Sequence, residues 1–238
     1  MAHLKGKGQC SICQIRHLSI FSQLPESRLG SVSAFQPAVV TFAEGEVVYR
    51  QNDSAQNAYT LRQGLVKLIK MLPNGRTQIV RVLQRGDLFG FDGFAGERYN
   101  QTAICLTQAE ICRLPLDELQ SLRRAYPEVE QAMTQRWLMH LREAEDMMLE
   151  LGAKKAGERL ASFLIRWSRR AEANSEAVWI PLPLSRAEMG ELLGLTVETV
   201  SRFLSEWKRQ GYIAEQRGSI RILEENRLRD AVCNTGSC

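Results

Sequence analysis

Long apolar runs are missing from this chain: none approaches the roughly 20 residues a membrane span needs, so no membrane partner is expected. No secretory leader is expected either. MAHLKGKGQC runs straight into mixed sequence, and the expected location is the cytoplasm. Histidine is scarce. The three are His3, His17 and His140, and none falls in the stretch that reads as β. That counts against a clustered-histidine metal site of the cupin kind. There is no G-x-S-x-G and no P-loop, and an enzyme is not expected. Bulk charge of one sign is also lacking: 31 Lys and Arg stand against 27 Asp and Glu, a net +4. Nucleic-acid binding would have to come from a local face. What is present is a globular composition, 44% hydrophobic over 238 residues, enough for one large domain or two ordinary ones. The six cysteines, in a reducing compartment, read as thiols or metal ligands rather than disulfides.

The most informative stretch is Leu184–Tyr212, LSRAEMGELLGLTVETVSRFLSEWKRQGY. Ser185 with Glu188 three residues on makes a capping box for a helix to about Leu193. Gly190 is small where two helices must cross, and Gly194 suits a left-handed turn. Thr196 caps a second helix, from about Val197 to Gln210. Met189, Leu192, Leu193, Leu195, Val200, Phe203 and Leu204 supply an apolar face. This pattern predicts a helix-turn-helix rather than an ordinary helical hairpin. Glu198, Ser201 and Arg202 then lie on the part of the second helix that enters the major groove. An arginine pairs with guanine O6 and N7, a glutamate accepts from a base amino group, and a serine fits a base edge. Ser185, Thr196 and Thr199 are expected near the DNA backbone. Beyond the helix, Ile213–Ile222 reads as a short hairpin, a wing whose Arg217 and Arg221 would track phosphates. A helix from about Ala156 to Ala173 buries Leu160, Phe163, Leu164 and Trp167. Its basic residues Lys154, Lys155, Arg166, Arg169 and Arg170 form either a solvated face or phosphate contacts.

Between about Val39 and Leu116 the chain reads as all β. Runs such as VVTFAEG, EVVYRQ, AYTLRQG, LVKLIKML, TQIVRVLQ, TAICLT and AEICRLP are separated by turn signals, Asn74-Gly75 the strongest. A sandwich or roll is expected. A long helix follows, with Pro127 in its first turn, to about Leu151. Met133, Trp137, Leu141, Ala144, Met148 and Leu151 step along it at near-heptad spacing, either packing on their own domain or forming a two-fold seam. A dimer would set two recognition helices on successive turns of DNA.

This order resembles the CRP/FNR family of bacterial transcription regulators, most closely its FNR-like branch. The resemblance rests on RGDLFGFDGFAG (Arg85–Gly96), GERLASFLIRWSRR (Gly157–Arg170) and LLGLTVETVSRFL (Leu192–Leu204). It implies an α+β chain: a Cys-containing segment (1–24), a double-stranded, cyclic-nucleotide-binding-like β-roll (25–125), a dimerisation helix (126–153) and a winged helix-turn-helix (154–238). It implies a homodimer on DNA similar to TTGAT-N4-ATCAA, read by Glu198, Ser201 and Arg202 in the pattern E-x-x-S-R. It also implies a contact with RNA polymerase, for which Asp87 and Asp92 are candidates, and redox- or oxygen-linked gene control.

For the effector, the sequence departs from the family twice. Members that bind cyclic nucleotides carry a Gly-Glu pair and an arginine beside a small hydroxyl residue. Here Phe91-Asp92 stand at the glutamate position, and Asn100-Gln101 precede Thr102 where the arginine belongs, with Arg98 out of register. Cyclic AMP is not expected. Members that sense oxygen hold a [4Fe–4S] cluster on C-x2-C-x5-C and one cysteine late in the roll. Cys10, Cys13 and Cys112 match, but the third position is Ser19, with His17 a nearby substitute. Cys105 is expected buried on a strand next to that of Cys112, and Cys233 and Cys238 incidental. The cysteines then read as a cluster site completed by His17 or Ser19, as a Cys10–Cys13 thiol switch, or as relics. A small-ligand or haem sensor, with His17 or Cys10 as ligand, is the remaining reading, although no C-x-x-C-H motif occurs. In the resemblance, the cluster permits the long helices to pair. Ala144, among Glu143, Glu145 and Asp146, lightens the charge in that seam, so dimerisation without a cluster is expected.

Overall fold

The computed structural model describes residues 3–8, 10–28, 37–172 and 179–233. They form two compact units, Met1–Arg142 and Glu143–Cys238. The division differs from the four segments read from the sequence. It falls inside the long helix, and the N-terminal segment is an integral layer of the first unit.

In the first unit the strands are β1 (His3–Lys7), β2 (Ala38–Phe42), β3 (Val47–Tyr49), β4 (Asn57–Gln63), β5 (Val66–Met71), β6 (Thr77–Leu83), β7 (Leu88–Phe89), β8 (Thr102–Cys105) and β9 (Ala109–Pro115). They build a five-stranded sheet in the order β1-β2-β9-β4-β7 and a four-stranded sheet in the order β3-β8-β5-β6. The two-residue alternation of a strand decides which face each side chain takes. Val40, Phe42, Tyr59, Leu61 and Ile111 point between the sheets, where they meet Tyr49, Val66, Leu68, Leu83 and Cys105. Their neighbours Val39, Ala58, Cys112 and Leu114 point out of the five-stranded sheet into a second core. Helix α1 (Leu116–Ala125) and the start of α2 (Pro127–Ala153) cover that outer face, together with Ile20, Phe21 and Leu24.

Seven strands follow the expected runs; β1, β7 and α1 are additions. Cys105 is buried as expected, but it lies on β8 in the four-stranded sheet. Cys112 lies on β9 in the other. They are not on neighbouring strands, because the chain changes sheets between them.

The second unit contains the end of α2, then α3 (Ala156–Glu172), β10 (Ile180–Pro181), α4 (Arg186–Leu193), α5 (Val197–Arg209), β11 (Ile213–Gln216), β12 (Ser219–Ile222) and α6 (Glu225–Cys233). The three strands pair in the order β10-β12-β11, and β11 and β12 form the hairpin of a wing. Leu160, Leu164, Met189, Leu193, Val200, Leu204, Trp207 and Leu228 make its core. The architecture is α+β: a β-roll, a long helix and a winged helix-turn-helix. Among the described residues no helix is long and apolar enough to cross a membrane.

His140, on α2 in the first unit, supplies a pH prediction. Burial, then Arg81 and Arg136, push its pKa from an ordinary 6.5 down to about 4. Between those values the unfolded chain binds a proton that the folded chain refuses. Stability therefore falls as the pH drops from 6.5 towards 4. Urea melts across that range are expected to show a shallower pH slope for His140→Gln than for the parent. Identical slopes would mean His140 titrates normally.

Candidate nucleic-acid interface and cysteine cluster

The helix-turn-helix is built from its caps. The Ser185 hydroxyl accepts from the Glu188 amide at 3.2 Å, and the Glu188 carboxylate accepts from the Ser185 amide at 2.8 Å, so the expected capping box is present. The α4 helix ends at Gly194 in the left-handed region, φ 63°. Gly190 faces the turn closely: a Cβ there would lie 2.6 Å from the Leu195 carbonyl oxygen. The Thr196 hydroxyl accepts from the Thr199 amide at 3.2 Å and opens α5. One consequence is that the hydroxyls of Ser185 and Thr196 already serve as caps.

On α5 the polar residues of the first turns face outward. Glu198 and Arg202 are exposed, Ser201 half-buried and Val197 exposed, while Val200, Leu204 and Trp207 hold the other face in the core. Glu198 is held below the usual carboxylate range by its own backbone amide and then by the Thr196 hydroxyl, so it is ionised. The Arg202 guanidinium lies over the Phe203 ring at 5.3 Å. Arg217 and Arg221 are exposed on the wing. The unit therefore offers a helix end with both signs of charge, flanked by a cationic hairpin.

Three basic residues at the ends of α3 are tied into ion pairs, and the Arg170 side chain lies outside the described residues. Lys154 and Arg166 both pair with the buried Glu150, at 2.6 and 2.5 Å. Arg169 pairs with Glu225 at 2.7 Å. Arg159 donates to the Leu193 carbonyl at 2.8 Å, which satisfies an open end of α4. The sequence reading missed Glu150 because a carboxylate late in a charged helix resembles its solvated neighbours.

Along α2 the apolar stripe divides. Met133 is fully buried in the core of its own unit, leaving no surface for a partner, and Trp137 is half-buried against the same core. This corrects Met133 as an interface residue: the first turns of α2 spend their apolar side on the β-roll. Leu141, Ala144 and Met148 are exposed and Leu151 half-buried. Leu138 and Met139 in the first unit and Leu149 in the second are exposed as well.

The sequence-distant cysteines come together. Cys10, Cys13, Cys112 and Ser19 line one cavity of about 20 Å³, with Thr60, Arg62 and Leu114. Cys10–Ile12 forms a 3-10 turn. Residues three apart eclipse in such a turn, which is why C-x-x-C spacing turns both sulfurs one way. Cys112 stands opposite Thr60 across the β9–β4 ladder, and Arg62 follows two residues on. The Arg62 Nη1 donates to Cys112 Sγ at 3.6 Å and to Cys13 Sγ at 3.8 Å. Its Nε donates to Glu110 at 2.6 Å, and Glu110 also pairs with Lys5 at 2.5 Å. Burial, then Cys112 and Cys13, push the Cys10 thiol up to about 12. Cys112 is also raised, by burial, against the pull of Arg62.

These residues do not fit a [4Fe–4S] cluster. Three sulfurs are present, but the fourth candidate is not available. The Ser19 hydroxyl donates to the Arg16 carbonyl at 2.8 Å and accepts from the Phe21 amide at 3.1 Å. His17 is exposed and does not line the cavity, which corrects it as a substitute ligand. A guanidinium nitrogen lies against two of the sulfurs, and the room left suits a water or two. No group of three ligands among the described residues is arranged to hold a metal ion. Arg62 and Glu110 escaped the sequence reading. Their signal is a charged residue at an outward position of an otherwise apolar strand. Cys233 is the last residue of α6, and Cys238 lies outside the described residues.

Inside the β-roll, Tyr49 stacks on Tyr99 at 3.9 Å and on Tyr59 at 5.5 Å, and Tyr59 stacks on Phe89 at 5.2 Å. Asp87 accepts from the Gln84 amide at 2.8 Å and pairs with Arg81. Asp92 opens a 3-10 turn, and burial raises its carboxyl. Both carboxylates thus have local structural work.

Known proteins share this arrangement. Residues 39–126 match the cyclic nucleotide-binding domain and residues 158–231 the Crp-like helix-turn-helix domain. The nitrogen fixation regulation protein FixK of Bradyrhizobium diazoefficiens is 32% identical over 92% of this chain and 92% of its own length. The fumarate and nitrate reduction regulatory protein of Escherichia coli is 30% identical, over 91% of this chain and 87% of its own. The solved structure of FixK2 from Bradyrhizobium japonicum superposes with a TM-score of 0.73 at 30% identity, over 84% of this chain and 98% of that one. With the capped helix-turn-helix, the wing, the long helix and the roll in one order, this chain belongs to the CRP/FNR family of transcription regulators, on its FNR-like branch, and is not an enzyme.

Proposed function

We propose that the protein is a homodimeric regulator that reads an inverted repeat similar to TTGAT-N4-ATCAA, in the cytoplasm, without a [4Fe–4S] cluster and without cyclic AMP. The observation that carries the DNA reading is the exposed start of α5, where Glu198 and Arg202 stand clear of a well-packed core. A carboxylate aimed at DNA is repelled by phosphates, so it belongs there only as a base reader or as the partner that orients Arg202. Ser201 completes the set; Thr199, Arg217 and Arg221 take the backbone, joined by the cap residues Ser185 and Thr196 at the N-termini of α4 and α5. The dimer surface is the exposed run Leu138, Leu141, Ala144 and Met148, whose apolar side chains water disfavours. RNA polymerase is the further partner. Asp87 and Asp92 in the turns of the roll are its candidate contacts.

The donor set argues for cluster-free control. Thiolates outcompete a hydroxyl for iron, and here that hydroxyl is already bonded twice. The stacked tyrosines fill the space between the sheets, and no arginine stands beside Thr102 to neutralise a cyclic phosphate. Oxygen- or redox-linked gene control is the setting that FNR- and FixK-type relatives suggest. Aerobically purified protein, free of iron, is expected to bind a labelled TTGAT-N4-ATCAA duplex with two chains per duplex. A duplex with one half-site scrambled should bind far more weakly. A clean monomer at micromolar concentration, or equal binding to both duplexes, would overturn the proposal.

A further inference from the structure

From the arginine-centred cluster of thiols, we infer that Cys13 is a modification site for small hydroperoxides and that Cys112 is the thiol that resolves it into a disulfide. The inference does not rest on the DNA reading above. Three observations carry it. Cys13 is the half-buried member of the group, while Cys10 and Cys112 are buried. A single nitrogen of Arg62 lies 3.8 Å from the Cys13 sulfur and 3.6 Å from the Cys112 sulfur, so both sulfurs belong to one guanidinium-centred group. The adjoining cavity of about 20 Å³ has room for a molecule of the size of hydrogen peroxide.

The chemistry follows from the positions. The Cys13 thiolate attacks one oxygen of the peroxide, the O–O bond breaks, and hydroxide leaves with the electron pair. Arg62 stabilises both the attacking thiolate and the departing hydroxide, which collects the proton released from the thiol. The Cys112 sulfur then attacks the sulfenic sulfur of Cys13. An S–S bond forms, the S–O bond breaks, and water leaves. In sum, two thiols and one peroxide give one disulfide and two waters. Glu110 is a positioning residue, since it holds the Arg62 Nε while Nη1 faces the sulfurs. The product staples the N-terminal segment to β9. Cys10 is a buried thiol and takes no part.

The test uses the full chain, reduced and then treated with hydrogen peroxide, with remaining thiols blocked and peptides mapped without reduction. The expected product is a Cys13–Cys112 disulfide that a dithiol reverses. Cys10→Ser should oxidise at the parent rate, whereas Arg62→Gln should slow at least about tenfold, as loss of a charge-assisted hydrogen bond predicts. A Cys10–Cys13 disulfide, a Cys13 no faster than glutathione, or an unchanged rate in Arg62→Gln would each overturn the inference. The map of the parent protein decides between the pairings even if Arg62→Gln fails to fold. DNA binding of the reduced protein is measured separately, so failure here leaves the operator reading standing.

Discussion

Arg202→Ala is expected to abolish discrimination between the palindrome and random DNA while leaving most of the non-specific affinity in place. Each lost bidentate contact to guanine costs about 1–3 kcal/mol. A two-fold dimer loses the contact twice, so about 2–6 kcal/mol, roughly 30-fold to 10⁴-fold in affinity, should go. The fold should be unaffected, because the side chain is exposed and its neighbour in space is the Phe203 ring. Titration at several salt concentrations separates the roles. For Arg202→Ala the salt slope should match the parent, since no phosphate contact is lost. For Arg217→Ala binding should weaken on every sequence and the slope should fall by about one per lost phosphate contact. If Arg202→Ala loses affinity equally on specific and random duplexes, the side chain is a phosphate contact and the base-reading role fails.

How much of this was legible in the sequence depends on whether a local rule governed the residue. The caps Ser185 and Thr196, the left-handed Gly194 and the wing turn at Arg217-Gly218 obey rules a few residues long, and each appears where the sequence placed it. Seven strands were legible because apolar and polar residues alternate along them. Strand β1, HLKGK, has no such pattern and exists by pairing with β2. Helix α1 did carry a signal, since Leu116, Leu119 and Leu122 recur at three-residue spacing and are all buried. It follows directly on a strand, with no turn signal to mark where it begins.

The site was readable in part for the same reason. Cys10, Cys13, Cys112 and Ser19 were singled out by type and spacing, and the structure does bring them to one cavity. What no spacing rule could supply was Arg62, brought there by the register of β4 against β9. The same limit applies to Met133: a heptad-like stripe says which residues share a face, not where a partner takes over from the protein's own core. A fixed charge against two of the sulfurs turns a set of metal ligands into a set of polarised thiols.

Gly190→Val is expected to be the most damaging single change in the second unit. The Cβ of any larger residue would sit 2.6 Å from the Leu195 carbonyl oxygen. That oxygen belongs to backbone, so it cannot swing away as a flexible side chain would. It also lies in the turn that sets α4 against α5, where the Leu195 amide donates to the Gly190 carbonyl at 3.0 Å. Relief requires the two helices to part, and overpacking of this kind costs about 1–3 kcal/mol or more. Valine adds two further methyls and a stiff χ1 to the clash. Alanine meets the same oxygen, but recovers up to about 1 kcal/mol from its helix propensity, so Gly190→Ala should lie between the parent and the valine variant. Gly152, near the end of α2, is the control. Nothing lies within 4 Å of a Cβ built there, so Gly152→Ala should be neutral or mildly stabilising. Urea melts followed by tryptophan fluorescence, where Trp167 and Trp207 report on this core, should rank the variants Gly152→Ala, Gly190→Ala, Gly190→Val from most to least stable. The valine variant should also lose operator binding at concentrations where it is still folded, because α5 can no longer present Glu198 and Arg202 at a fixed angle. A Gly190→Val protein with parental stability and operator binding would show that the α4–α5 turn is softer than its packing implies.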